Sequence, residues 1–208
     1  MPLTKTHKEI LTENQTKLLP VVKAFNKNFR LVGGTAIALH LGHRRSIDFD
    51  LFSFEPFRNA DIRRKIKVFT KIDQEIVDRL DEFTFLSGDV KFTFYRHPYN
   101  VKYSENFNNV IKMPDLLTLA AMKAHALGGR AKWKDYVDLY FILKDFYKWP
   151  EITRKAKELF AGEFNEKLFR IQLTYFDDIS YVEKIEFLPG FAVSDRVIKK
   201  ALIEFSLS

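Results

Sequence analysis

Two aspartates separated by one residue are the feature of this sequence best suited to chemistry. Asp48 and Asp50 flank Phe49 in residues 47–54, where apolar and polar residues alternate. A period of two is typical of a β-strand, so both carboxylates project from one face. Two like charges on a buried strand repel each other unless a cation lies between them. The pair therefore predicts a metal site.

Magnesium is the natural ion for such a pair, and manganese could take its place. Mg²⁺ prefers oxygen ligands and is commonly held by one or two carboxylates, together with waters and substrate phosphates. In phosphoryl and nucleotidyl transfer the metal bridges phosphate oxygens and offsets the charge that grows in the transition state. The aspartate pair therefore indicates chemistry on a nucleoside triphosphate.

A glycine pair upstream is suited to holding the phosphates. Gly33, Gly34 and Thr35 lie between a predicted short strand and a predicted short helix that ends at a glycine. Glycine lets the backbone approach a phosphate, amides at a helix N-terminus point at it, and the Thr35 hydroxyl adds a donor. Arg44, in the loop before the aspartates, is placed to contact a phosphate or an acceptor, although a solvated loop charge explains it equally well.

Each of these signals is weak alone, because glycine pairs are usually turns and Asp-x-Asp is usually a solvated strand face. Their combination is what nucleotide chemistry needs: a turn that grips phosphates, followed by a strand that grips a metal.

The hydrophobic pattern predicts the elements that must position these residues. It indicates a helix over 7–27 and, within 29–61, a strand, a turn, a short helix and a second strand. A further helix is predicted over 59–69 and a short strand over 110–113. Residues 83–86 and 90–96 form a predicted hairpin around a Ser-Gly-Asp turn. Beyond Pro114 the period is helical, with predicted helices at 115–127, 132–146, 151–160, 165–173 and 194–205. The sequence thus predicts an α+β fold, with a mixed lobe over 1–112 and a helical lobe over 113–208.

Composition narrows the class of partner. The net charge of +7 favours an anionic partner such as a nucleotide, a nucleic acid or an acidic protein, although a solvated lysine-rich surface has the same charge. The absence of cysteine excludes disulfides, thiolate zinc sites and cysteine nucleophiles. No stretch approaches the ~18 apolar residues of a membrane span, so we expect no membrane association and a cytoplasmic location.

The segment LVGGTAIALHLGHRRSIDFDLF, residues 31–52, resembles the signature of the AbiEii/AbiGii toxin family of nucleotidyltransferases, within the polymerase-beta-like superfamily. The resemblance extends to 90–99, to Met122-Lys123 and to 129–139. It implies a small mixed sheet flanked by helices and a helical C-terminal lobe. It also implies transfer of a nucleotide from a nucleoside triphosphate (NTP) to an acceptor such as tRNA, another RNA or a protein. Members act as toxins in toxin–antitoxin and abortive-infection systems, which implies a cognate antitoxin.

The resemblance also assigns roles to residues. It places Gly33, Gly34 and Thr35 on the phosphate-binding turn, and Asp48 and Asp50 on the metal pair.

In the helical lobe, the resemblance matches Lys123 to a motif lysine and Asp135 to a downstream acidic motif, with Asp138 a close second. Independently, Lys123 lies on a helical stripe with Leu116 and Leu127, where an apolar residue is expected. Its ammonium should therefore face a phosphate or a carboxylate, unless its stem extends to water.

One position departs from the superfamily, whose enzymes often carry a third carboxylate on the strand after the hairpin. The corresponding residue here is Thr93, which neither ligates magnesium with charge nor acts as an effective base. Asp89, at the hairpin turn, lies about 13 Å away along an extended strand. Three functions remain open: an active nucleotidyltransferase, a nucleotide-binding protein that lost its base and acts through a partner, and a kinase-like phosphotransferase.

Overall fold

The structure is a computed structural model that describes residues 6–129 and 131–207. The chain divides into two compact units, Met1–Asp115 and Leu116–Ser208. The sequence prediction placed this division between residues 112 and 113. The described part of the first unit contains the sheet, and the described part of the second is mainly helical.

A five-stranded sheet forms the centre of the first unit. Its strands are β1 (Arg30–Val32), β2 (Asp48–Ser53), β3 (Gln74–Arg79), β4 (Glu82–Ser87) and β5 (Val90–Arg96). Their spatial order is β1-β2-β5-β4-β3, with β2 and β5 parallel and the other neighbours antiparallel. Strands β6 (Glu105–Phe107) and β7 (Ile111–Met113) form a separate two-stranded sheet. The parallel pair brings β2 and β5 side by side although the chain between them is long.

Buried aromatic residues fix the register of these central strands. Phe49 and Leu51 on β2, and Phe92 and Phe94 on β5, are 0% exposed. Phe85 on β4 stacks on Phe92, with ring centroids 5.1 Å apart. Burying each such side chain contributes about 1.5–3 kcal/mol, and a one-residue slip of a strand would expose all of its core side chains. The alternate residues of β2 are therefore held on the opposite face.

The described residues of the first unit form the α-helices α1 (Glu13–Ala24), α2 (Gly33–Leu41) and α3 (Asn59–Ile66). A capping box starts α1, because the Thr12 hydroxyl accepts from the Gln15 backbone N–H while the Gln15 side chain accepts from the Thr12 N–H. The predicted start near residue 7 was therefore too early, and Lys8–Ile10 forms a 3-10 helix instead. Helix α2 ends at Gly42 in the left-handed conformation, as predicted.

The second unit, so far as the structure describes it, is built mainly from α-helices. They are α4 (Leu116–Leu127), α5 (Trp133–Asp145), α6 (Trp149–Phe160), α7 (Glu166–Thr174) and α8 (Asp195–Ser206). The start of α5 is tied to α8 by an aromatic cluster around the Lys199 ammonium. Its Nζ lies 5.7 Å from the ring centroid of Trp133 and 5.3 Å from those of Phe176 and Tyr181. Each cation–π contact contributes about 0.5–1 kcal/mol at a partly exposed site, so the cluster anchors α8.

The predicted α+β class, with a small mixed sheet flanked by helices and a helical second lobe, is confirmed by the structure. Strands β3 and β6 were missed. Strand β3 is an edge strand in which even Ile76 is 48% exposed, so it lacks the alternation by which strands are recognised. Strand β6 has only three residues. Within 6–129 and 131–207, no helix has the length and apolar character needed to cross a bilayer.

Candidate active site

The two aspartates of β2 project from the face opposite its apolar core. Asp48 and Asp50 are half-buried, whereas Phe49 and Leu51 between and after them are fully buried. Because successive side chains of a strand point to opposite faces, both carboxylates lie on the same side of the sheet. The structure thus places both aspartates on one face of β2.

Gly33 and Asp50 lie against each other where β1 leads into α2. Val32, the last residue of β1, pairs with Asp50. At the next residue the chain turns into the helix with Gly33 at φ 72°, a conformation that favours glycine. A Cβ atom built on Gly33 would lie 2.1 Å from Oδ2 of Asp50. The carboxylate therefore lies on the first turn of α2, where the positive end of the helix dipole stabilises it.

Gly34 gives room to a different side chain, that of Arg44. A Cβ atom built on Gly34 would lie 2.7 Å from Nη2 of Arg44 and 3.3 Å from Oγ of Ser46. The Arg44 side chain is 3% exposed, and its Nη1 donates to the Arg45 carbonyl at 2.8 Å. Its predicted role as a nucleotide-binding residue stays a prediction, and the structure shows a guanidinium packed against the glycine turn.

Thr35 joins the helix to the loop that precedes β2. Its hydroxyl is buried and lies 3.0 Å from Ser46 Oγ, 3.3 Å from the Ser46 carbonyl oxygen and within hydrogen-bonding contact of the Asp48 carbonyl. All of these partners belong to the segment that leads into β2, so in this structure the Thr35 hydroxyl positions the backbone of Asp48. Donation to a phosphate, which the sequence predicted, stays a prediction.

Gln15 is a second residue that positions this loop, and the sequence interpretation did not single it out. It is 0% exposed, and its Nε2 donates to the Ser46 carbonyl at 2.7 Å. The other end of its amide takes part in the capping box of α1. A buried amide with both ends satisfied fixes the backbone that it bonds. Gln15 therefore links α1 to the residues just before the metal pair.

Strand β5 lies beside the aspartates and supplies a lysine. In the parallel register, Asp48 is opposite Lys91 and Asp50 is opposite Thr93. Lys91 Nζ lies 2.8 Å from Asp48 Oδ2. Thr93, the predicted position of a third carboxylate, accepts a hydrogen bond at 3.5 Å from Oγ1 of Thr84 on β4, the neighbouring strand on the side away from Asp50. The position next to Asp50 thus holds a neutral side chain.

The residues present fit a magnesium or manganese ion. Such an ion commonly takes one or two carboxylate ligands from the protein, and waters and phosphates complete its coordination. The two half-buried carboxylates on one strand face match this requirement. Across the part of the chain that the structure describes, no group of three or more His, Asp or Glu side chains forms a metal-binding cluster. Such a pair suits an ion whose remaining ligands are waters and substrate oxygens.

A second polar cluster lies within the helical unit. Lys123 on α4 is 6% exposed, and its Nζ lies 2.6 Å from Asp135 Oδ1 and 3.1 Å from Asp138 Oδ2 on α5. Both aspartates are 0% exposed. The sequence predicted that Lys123 faces a carboxylate or a phosphate, and in the structure its ammonium faces two carboxylates. The catalytic and nucleotide-binding roles that the resemblance gave to these three residues stay predictions.

Replacing Gly33 by alanine tests the contact with Asp50. We expect Gly33→Ala to displace the Asp50 side chain, to lower the free energy of unfolding by more than 2 kcal/mol, and to weaken Mn²⁺ binding, since backbone strain of about 1–2 kcal/mol adds to the clash. Urea denaturation and Mn²⁺ calorimetry measure the two effects.

Gly88→Ala is the matched control, because Gly88 also has a positive φ of 61° but a Cβ there would meet no atom within 4 Å. This variant should lower the free energy of unfolding only by the cost of the backbone strain, about 1–2 kcal/mol, and should leave Mn²⁺ binding unchanged. Equal effects of the two substitutions would contradict the role assigned to Gly33.

The fold is shared with two solved structures. MenT4, the nucleotidyltransferase toxin Rv2826c of Mycobacterium tuberculosis H37Rv, aligns with a TM-score of 0.60 and 10% identity over 93% of this chain and 80% of that one. JHP933 of Helicobacter pylori aligns with a TM-score of 0.54 and 16% identity over 95% of this chain and 90% of that one. At these identities the likeness shows a nucleotidyltransferase fold.

Sequence comparison assigns the family. The model of the family described as nucleotidyl transferase AbiEii toxin, type IV TA system, matches residues 21–99 and 86–200. The chain therefore belongs to the AbiEii nucleotidyltransferase toxin family. An uncharacterized protein of Aquifex aeolicus (strain VF5) is 31% identical over 158 residues, which cover 73% of this chain and 75% of that protein.

Proposed function

We propose that this protein transfers a nucleotidyl group from an NTP to an acceptor, using Mg²⁺ or Mn²⁺ held by Asp48 and Asp50. One observation carries the proposal: the Asp50 carboxylate lies on the first turn of α2 while Asp48 projects from the same strand face. An ion held by this pair lies beside the helix N-terminus, where phosphate groups are favoured. Metal and triphosphate would then occupy adjoining places in one site.

The roles of the chain's own residues follow from this arrangement. Gly33 and Gly34, at the start of α2, present backbone amides to the phosphates, and Arg44 packed against Gly34 adds a fixed positive charge. Thr35 and Gln15 hold the Ser46 to Asp48 backbone in place. When bound, the metal offsets charge growing on the α-phosphate.

In the transfer step an acceptor oxygen forms a bond to the α-phosphorus while the bond from that phosphorus to the β-bridging oxygen breaks, so pyrophosphate leaves. The acceptor hydroxyl loses its proton. Thr93 stands where a carboxylate base is often found, so this proton passes to solvent water, and an acceptor that is already ionised needs no base. We therefore expect slow transfer.

The acceptor and the biological partner are also proposals. The net charge of +7 supports an anionic acceptor, for which tRNA or another RNA is our first candidate and a protein the second. Membership of a toxin family of type IV toxin–antitoxin systems supports a cognate antitoxin as partner.

The test is transfer of label from each of the four NTPs. We expect α-³²P from one NTP to become attached to an acceptor in total RNA or total protein, in the presence of Mg²⁺ or Mn²⁺ and not with EDTA. Label from the γ-phosphate should appear only in pyrophosphate. Attachment of γ-label alone would identify a kinase-like phosphotransferase and overturn the proposal.

A second candidate function is nucleotide binding without transfer, with action through a partner. The neutral Thr93 beside Asp50 favours it, because the residue that often supplies the base is missing. Absence of α-label transfer from all four NTPs, together with calorimetric binding of an NTP, would favour this candidate over the first.

A further inference from the structure

Lys91 is a cation that the structure places directly against Asp48. Its Nζ lies 2.8 Å from Oδ2 of Asp48, and the two residues are opposite each other in the parallel register of β2 and β5. The sheet core fixes this register, because Phe49 and Phe92, the next residues along each strand, are also opposite each other and fully buried. The contact is therefore set by the sheet and does not depend on a mobile loop.

This ion pair differs from other lysine–carboxylate pairs of the first unit. The side chains of Lys71 and Asp73 are 84% and 41% exposed, and those of Lys17 and Glu13 are 66% and 83% exposed. The Lys91 and Asp48 side chains are 31% and 15% exposed. Water screens the first two pairs strongly, so each contributes little. Screening is weaker at Asp48, where the charge of Lys91 acts at close range on any ion that binds.

We propose that Lys91 is a counter-ion of Asp48 that lowers the affinity of the site for a free divalent metal ion. The site then binds the metal preferentially as its complex with a triphosphate. The inference rests on the proposed function, because it assumes that Asp48 and Asp50 hold the metal. Without nucleotide, the ammonium competes with the metal for the same carboxylate and repels it. Lys91 is thus a positioning residue, and it selects the form in which the metal enters.

The triphosphate reverses this effect. Its negative charge gives the ammonium a second partner when Asp48 turns to the metal, so the repulsion is offset only when nucleotide and metal are bound together. Lys91 thus gives the site a preference for the metal–nucleotide complex over the free metal.

Calorimetric titration with Mn²⁺ alone, without nucleotide, tests the inference. We expect Lys91→Met to bind Mn²⁺ about tenfold more tightly than wild type, since a unit charge close to a divalent ion has an effect of that order even in high dielectric. Lys91→Gln should show the same gain, which guards against a folding defect peculiar to methionine. Lys91→Arg keeps the charge and should stay within twofold of wild type.

Lys71→Met is the matched control, because it removes the same charge from a lysine–aspartate pair at the surface of the same unit. It should leave Mn²⁺ affinity unchanged. Mn²⁺ affinity of Lys91→Met and Lys91→Gln that equals or falls below that of wild type would overturn the inference, even where Asp48→Asn abolishes binding and so supports the metal pair. Absence of Mn²⁺ binding in Lys91→Met and Lys91→Gln would also overturn the inference, whereas the metal centre of the proposed function is tested separately, by loss of α-label transfer with EDTA.

Discussion

Asp50→Asn should lower the rate of nucleotide transfer by about 10³-fold or more, because removing one group that stabilises transition-state charge typically costs 10²–10³ and, in the proposed function, this one also holds the metal. The asparagine side chain has nearly the same shape as the carboxylate, so it fits beside Gly33 without a new clash. We therefore expect an unchanged fold. Rates of α-label transfer, with circular dichroism and a urea denaturation curve, measure the two effects.

The control for this prediction is Asp89→Asn. Asp89 is exposed at the turn between β4 and β5, where it accepts a hydrogen bond from Asn14 at 2.7 Å. Asp89 is the carboxylate closest in sequence to Thr93, which occupies the position of the third carboxylate. The substitution therefore also tests whether Asp89 takes part in transfer. We expect a change below twofold. Transfer by Asp50→Asn at more than a tenth of the wild-type rate would contradict the proposed role of the pair.

Lys123→Met should lower the free energy of unfolding by about 3–5 kcal/mol, which is the usual cost of removing one partner from a buried ion pair. Lys123 lies within 3.1 Å of two fully buried aspartates, and methionine supplies no charge to stabilise them. Urea denaturation followed by tryptophan fluorescence measures the change. Transfer by this variant should be assayed only under conditions in which its urea denaturation curve shows that it is folded.

Lys144→Met is the matched control for this substitution. Lys144 lies 3.6 Å from Asp145 on the same helix, and both side chains are about half exposed, at 50% and 44%. Exposed pairs contribute 0–1 kcal/mol, so we expect the free energy of unfolding to change by less than about 1 kcal/mol. A similarly small change in Lys123→Met would show that water reaches the cluster and would contradict the burial of its charges.

Much of the fold could be predicted because its elements have strong periodicity. The alternation around Phe49 and the hairpin turn at Gly88 indicated β2, β4 and β5, and the helical period after Pro114 indicated α4 to α8. Strand β3 could not be predicted in this way, since an exposed edge strand need not bury alternate residues. The start of α1 was set by the Thr12 capping box, which overrides a hydrophobic pattern that continues further back.

The candidate site was only partly predictable, for a different reason. Asp48, Asp50 and the glycine pair carry local signals that can be read along the sequence. Lys91 carries none, because its contact with Asp48 depends on which strands are neighbours and on their register. Gln15 likewise has the sequence context of an ordinary helix cap, and its second bond to the Ser46 carbonyl appears only when the helix packs on the loop.

The contact between Gly33 and Asp50 also constrains how the sequence can drift. Any side chain at position 33 would displace the carboxylate, and a smaller residue at position 50 that made room for it would remove one of the two proposed metal ligands. No single or paired exchange at these two positions preserves both the geometry and the charge. Under selection for transfer, both should therefore stay fixed in a saturation library.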